Sequence, residues 1–140
     1  MPYTYSIHPQ FNLLWIKRIG VITSEDIKAL IAESQADSET STEMAILEDF
    51  RLAEQIDLGF TEMVPIAENS KKLGWGRELP TKMAFVAPTP VTFGMARMFQ
   101  SLMAGQDRIA IEICKTIDAA VDFLGLPEEA RALLANPAAE

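Results

Sequence analysis

The segment KMAFVA (82–87) has the composition of a buried strand, and a helical stripe begins only a few residues after it. Val91, Met95, Met98, Phe99, Leu102 and Met103 recur at offsets of zero, four, seven, eight, eleven and twelve, with Gly105 as a terminating glycine. Between the two, Ala87-Pro88-Thr89-Pro90 turns the chain, and Pro90 suits the first turn of a helix. A strand handed straight to an amphipathic helix is the building unit of a sheet covered by helices.

The rest of the chain repeats that unit. YTYSI (3–7) and LLWIKRI (13–19), joined by the turn residues HPQFN, predict an antiparallel hairpin, with Gly20 breaking the second strand. Thr23 with Asp26 three positions on marks a helix start, and Ile27, Leu30, Ile31 and Ser34 share one face of a helix over 24–36. DSETSTE (37–43) is a polar loop, and MAILEDF (44–50) a short strand. RLAEQIDLGF (51–60) has no clean period and reads as an ordered connection. Thr61 is placed as the cap of a helix over 62–73, with Pro65 accommodated in its first turn and Gly74 and Gly76 ending it. RIAIEIC (108–114) is the last strand, TIDAAVDFLG (116–125) a helix, and PEEARALLAN (127–136) a further helix or tail.

The order β-β-α-β-α-β-α-β-α predicts one α/β domain over 1–140. Its five-stranded sheet is mixed but mostly parallel, opened by the N-terminal antiparallel hairpin and covered by four to five helices. The core spans about 3–125, with 127–140 as the C-terminal helix or tail.

Charge removes whole classes of partner. The net charge is −8 and the isoelectric point near 4.6, which opposes binding to nucleic acid or anionic lipid. Lys71-Lys72 with Arg77 is the one sizeable basic cluster, read as a solvated helix end. No apolar run approaches the roughly 18 residues a bilayer demands, and MPYTYSIHPQ has no leader pattern. Cys114 is the single cysteine, so an internal disulfide cannot form, and a cytoplasmic location is expected.

Catalytic chemistry finds little to work with. His8 is the one histidine, placed before Pro9 in the hairpin turn, and Cys114 ends an apolar strand as an inert thiol. Neither a histidine-based triad nor a zinc site is supported, and no cofactor motif is present, since Gly74-Trp75-Gly76 lacks a phosphate-loop lysine. Glu48 and Asp49 are adjacent on a strand and face opposite ways, so they cannot form a carboxylate dyad. A binding surface fits better. Ligands of open α/β sheets gather outside the carboxyl ends of the strands, where Asp49 and Arg51 leave the third strand and Pro88-Thr89 the fourth. Asp49 and Arg51 there serve either as a structural clamp or as ligand contacts. Phe93, Arg97 and Gln100 fall opposite the methionine stripe and form a candidate partner-docking face.

This order of elements resembles the STAS fold, that of the SpoIIAA-like anti-sigma-factor antagonists. AILED reaches Asp49, and Asp57 follows at the family's spacing of eight, but Leu58 stands where the family carries its phosphorylatable serine. The triplet Asp49-Phe50-Arg51 and the helix motif running from Gly94 to Met98 are similar to those of uncharacterised bacterial STAS-like and SEC14-like proteins. The resemblance covers about residues 3–125. It implies a non-enzymatic binding or regulatory module acting through protein contacts, as a homodimer or with another protein, without the serine switch. The competing expectation is a SEC14-like carrier of a small apolar molecule or lipid, which requires a cavity that tight packing of the methionine face would remove. Asp49, Arg51, Asp57, Thr89, Phe93 and Arg97 are the candidate ligand- or partner-binding residues; no cofactor and no metal are expected.

Overall fold

The computed structural model describes residues 3–76 and 79–138. Its strands are β1 (Tyr3–His8), β2 (Leu13–Thr23), β3 (Ala45–Asp57), β4 (Thr81–Val86) and β5 (Ile109–Cys114). Its helices are α1 (Ser24–Ala36), α2 (Phe60–Lys71), α3 (Pro90–Leu102), α4 (Ile117–Leu124) and α5 (Glu128–Leu134). The strands form one sheet in sequence order, β1-β2-β3-β4-β5, with β1 antiparallel to β2 and every other pair parallel.

That order dictates which face each helix covers. Each crossover from β2 to β5 steps the same way across the sheet, and parallel crossovers are right-handed, so α1, α2 and α3 lie on one face. After β5 no strand remains to be reached, and α4 and α5 fold onto the opposite face. Strand alternation divides the core accordingly. Leu14, Ile16, Ile46, Phe50, Met83 and Phe85 pack with the three-helix layer, whereas Leu13, Trp15, Leu47, Ala84 and Val86 pack with α4 and α5.

Local signals explain the junctions. Thr23 caps α1: its hydroxyl accepts from the Asp26 N–H while the Asp26 carboxylate accepts from the Thr23 N–H. Thr89 caps α3 in the same reciprocal way with Thr92, and Pro90 occupies the first helical position. Gly125, at φ 68°, takes the left-handed conformation that closes α4. Tyr3 and Tyr5 donate to Glu33 (2.6 Å) and Asp37 (3.0 Å), fastening α1 across the hairpin.

Several expectations are corrected. Gly20 does not end β2. At φ 69° it sits in a stretch of shifted register, between Lys17 and Val21, that lets the strand continue to Thr23. RLAEQIDLGF is not a connection, because β3 runs on to Asp57 alongside the far half of β2. Asp49 and Arg51 therefore lie within β3, level with the end of β4, instead of at the end of their own strand.

Thr61 is not the cap of α2. Gly59 holds that position, its N–H donating to the Glu62 carboxylate (2.6 Å). Pro65 consequently sits beyond the first turn, and the carbonyl it leaves without a donor belongs to exposed Thr61, where water reaches it. Val91 leaves the inward stripe of α3, being 61% exposed, and buried Thr92 takes its place. The helix is thus rotated slightly from the phase its apolar residues suggest, because Thr92 must turn back to Thr89 to complete the cap. In the expected basic cluster, Lys71 pairs with Glu68 and Lys72 is exposed, while Arg77 lies outside the described residues. No helix among the described residues is long and apolar enough to cross a membrane.

Candidate functional site

The layer between the sheet and α1–α3 is not filled. A cavity of about 210 Å³ lies there, walled by β2, β3 and β4 on one side and by the three helices on the other. Two serines help to keep it open. Ser34 of α1 and Ser70 of α2 are buried at core-facing positions, and each returns its hydroxyl to its own helix, at Ile31 O (3.2 Å) and Ile66 O (2.9 Å). Their polar atoms are satisfied within the helix, and they contribute little volume where a leucine would fill the space.

Among the described residues the walls are mostly leucine, isoleucine, methionine and phenylalanine side chains, with one charged feature. Arg18 of β2 and Glu48 of β3 form a bidentate pair, Nε to Oε1 at 3.0 Å and Nη2 to Oε2 at 3.1 Å. Arg18 is only 2% exposed. An arginine so deeply buried requires a partner, and Glu48 supplies it through two charge-assisted bonds. The third guanidinium nitrogen, Nη1, is buried and has no hydrogen-bond partner among the described residues; Thr40 Oγ1, in the loop that borders the cavity, is in the same condition. Buried donors are satisfied in the great majority of cases, so Nη1, closed off and without an acceptor, is an exception within this core.

Exposed Gln35 and Ser41, with half-buried Thr42, Leu73 and Trp75, form the rim. This end lies beside the start of β3, opposite to the carboxyl-end position expected for ligands of parallel sheets. From Leu14 to Arg18 the cavity follows β2 for about 13 Å, at the usual rise per strand residue.

The six residues singled out from sequence are not gathered here or anywhere else. Asp49 is buried on the α4–α5 face, where its carboxylate accepts from Trp15 Nε1 (3.0 Å), the Arg51 N–H (3.1 Å), Arg51 Nε (2.9 Å) and Arg51 Nη2 (2.7 Å). Arg51 also donates to the carbonyls of Leu134 (2.7 Å) and Ala135 (3.2 Å), tying β3 to the end of α5. Asp57 is exposed at the end of β3, and neighbouring Leu58 packs against the core. The Thr89 hydroxyl is engaged in its cap.

The outward face expected of α3 does not form as a set. Arg97 is exposed, but Phe93 is half-buried against the core with the Lys115 ammonium 5.8 Å from its ring centroid, and Gln100 donates to Ile111 O (3.0 Å). The rotation that brings Thr92 inward carries Phe93 with it. Alternation alone separates the groups, since Asp49 shares a face with Trp15 while α3 covers the other.

Arg18 and Glu48 are the residues sequence reasoning missed. The available signal was a cation inside the apolar run LLWIKRI, combined with Glu48 facing away from Asp49.

The two conventional reactive side chains are subdued. Burial, helped by the nearby Glu112 charge, pushes the Cys114 thiol up, away from the thiolate form. Burial and then Lys17 lower His8, whose Nε2 lies 2.9 Å from the Ser6 hydroxyl.

No protein-family model and no curated protein matches the sequence. Among solved structures, the chain is similar to an uncharacterised DUF3478-family protein of Shewanella loihica PV-4, described as having a SpoIIAA-like fold. The two share 16% identity at a TM-score of 0.56, over 87% of this chain and 93% of that one. A TM-score of 0.56 over most of both chains carries one conclusion: this chain has a SpoIIAA-like fold.

Proposed function

We propose that the protein is a SpoIIAA-like module that binds a small, mainly apolar molecule in the cavity beneath α1, α2 and α3. The observation that carries this reading is the unfilled space itself, an almost wholly apolar cavity of about 210 Å³ between the sheet and three helices. A cavity of about 150 Å³ accepts a benzene ring, so 210 Å³ suits a ligand of roughly eight to ten non-hydrogen atoms. The reading favours the carrier alternative. The leading expectation, a module acting through protein contacts, came from the resemblance, and of the docking face read for it Arg97 is exposed while Phe93 is half-buried.

Thermal unfolding with and without p-xylene tests it. A bound ligand at ten times its Kd stabilises by about 1.4 kcal/mol, a rise of about 4 °C for a chain of this size. Ser34→Leu, which fills the cavity, should raise the melting temperature by itself and abolish the response. No rise for the unaltered protein, or an equal rise in Ser34→Leu, would refute the assignment.

A further inference from the structure

A ligand cannot reach the cavity unless part of its wall moves. Leu14, Phe50, Met63, Phe85 and Phe99 line it and are all buried, so its inner surface is barely open even to water, and a ring is far wider than water. The way in lies at the rim, and most of the rim is fastened. The end of α1 is held by Tyr3 and Tyr5 through Glu33 and Asp37. The loop is held at Thr42, whose carbonyl accepts from the Thr81 hydroxyl and from the Gly76 N–H (3.5 Å).

Trp75 is held more lightly. Its indole is half-buried against the core, and Nε1 donates to Ser70 O (2.7 Å) at the end of α2. Ser70 O also accepts from the Leu73 N–H (3.2 Å). Turning the indole outward therefore breaks that bond without stranding either partner, because the carbonyl keeps Leu73 and the indole N–H meets water.

The backbone on either side supplies an anchor and a pivot. Gly76 is the anchor. At φ 39° it lies so close to its surroundings that a Cβ would stand 2.3 Å from Leu79 O, and its N–H donates to Thr81 Oγ1 (3.1 Å) while its carbonyl accepts from Arg108 Nε (2.6 Å). Gly74 is the pivot, exposed and with open space where a Cβ would be.

On the reading that the cavity is a ligand site, we infer that Trp75 is its gate. The indole turns outward about Gly74 to admit and release the ligand, and its return closes the mouth. A gate sets how fast ligand enters and leaves, whereas affinity depends only on the free and bound states.

Fluorine NMR exchange measurements with 4-fluorotoluene, together with its dissociation constant, give both rates. Trp75→Ala removes the gate and should raise the rates of entry and release, entry by about tenfold. Gly74→Ala lies outside the cavity and should slow entry and release alike by about threefold, the freedom one glycine loses, at unchanged affinity. Faster release of the Trp75→Ala variant at unaltered entry would mean only lost contact and would overturn the gate while leaving the ligand site standing. Should Trp75→Ala fail to fold, hydrogen exchange of the two indole N–H groups in the unaltered protein decides. Trp15, buried and donating to Asp49, should exchange only through global unfolding, and Trp75 far faster and without dependence on low urea. Equal protection of both indoles would overturn the gate. Absence of 4-fluorotoluene binding to the unaltered protein would overturn the ligand site and this inference with it.

Discussion

Replacing Arg51 by alanine isolates how much a half-enclosed ion pair contributes to this fold. The substitution removes two charge-assisted bonds to Asp49, which is 2% exposed, and two bonds to the last carbonyls of α5. Asp49 keeps the Trp15 indole and a backbone N–H, yet its charge is then buried without a counter-ion. Removing one member of a buried pair costs about 3–5 kcal/mol. The Arg51 side chain is 15% exposed, which lets water replace part of the loss and sets the expectation at about 3–4 kcal/mol. Urea unfolding followed by tryptophan fluorescence should show a lower midpoint at unchanged slope, and a melting temperature lower by about 10 °C.

The control is Arg131→Ala. Arg131 makes three ion pairs, with Asp118, Asp122 and Glu128, so a count of contacts ranks it above Arg51. Its partners are 70%, 73% and 83% exposed, however, and exposed pairs contribute little. Arg51→Ala should therefore destabilise markedly more than Arg131→Ala. Equal effects, or the reverse order, would refute the argument from desolvation. The double variant Asp49→Asn/Arg51→Met should recover part of the loss, because no unpaired charge remains.

Two further outcomes follow from burial and titration. Phe99→Ala, at a site 7% exposed, should cost about 3–5 kcal/mol, whereas Val91→Ala, at a site 61% exposed, should cost less than about 0.5 kcal/mol; chemical denaturation of both variants checks the corrected phase of α3. His8 is lowered from its ordinary value of 6.5 by burial and by Lys17, so below pH 6.5 the unfolded chain binds the proton more readily than the folded one. Stability present above that pH is lost on acidification through the folded-state value, and His8→Asn should flatten that part of a stability-against-pH curve relative to the unaltered protein.

The architecture was legible because helices and buried strands write strong periods. The α1 stripe and its Thr23 cap, and the order of strands and crossovers, all appear where their residues indicate. The failures share a cause. Beyond Asp49, β3 has a strand partner on one side only among the described residues and a shallow core beneath it, so 51–57 alternate weakly and resemble a loop. Gly20 carries the ordinary meaning of a strand breaker, and only the register of β2 against β3 turns it into an irregularity within a continuing strand. The candidate site was less legible still. Arg18 and Glu48 are 30 residues apart and meet through strand pairing, while a cavity is the space that three helices leave, which no single residue records.

The long reach of β3 has one more consequence. Strand β4 pairs only with Ile46–Asp49, so along residues 50–57 the outer edge of β3 has no neighbouring strand among the described residues. An open row of N–H and C=O groups is a template on which another chain can assemble, and proteins guard such rows with charge. Here Arg51, Glu54 and Asp57 stand along it, within a chain whose like charges repel its copies. That guard is electrostatic, not steric, so it weakens as salt rises and as the pH approaches 4.6, where the net charge vanishes. Resistance to aggregation in this protein is therefore a property of its solvent as much as of its fold.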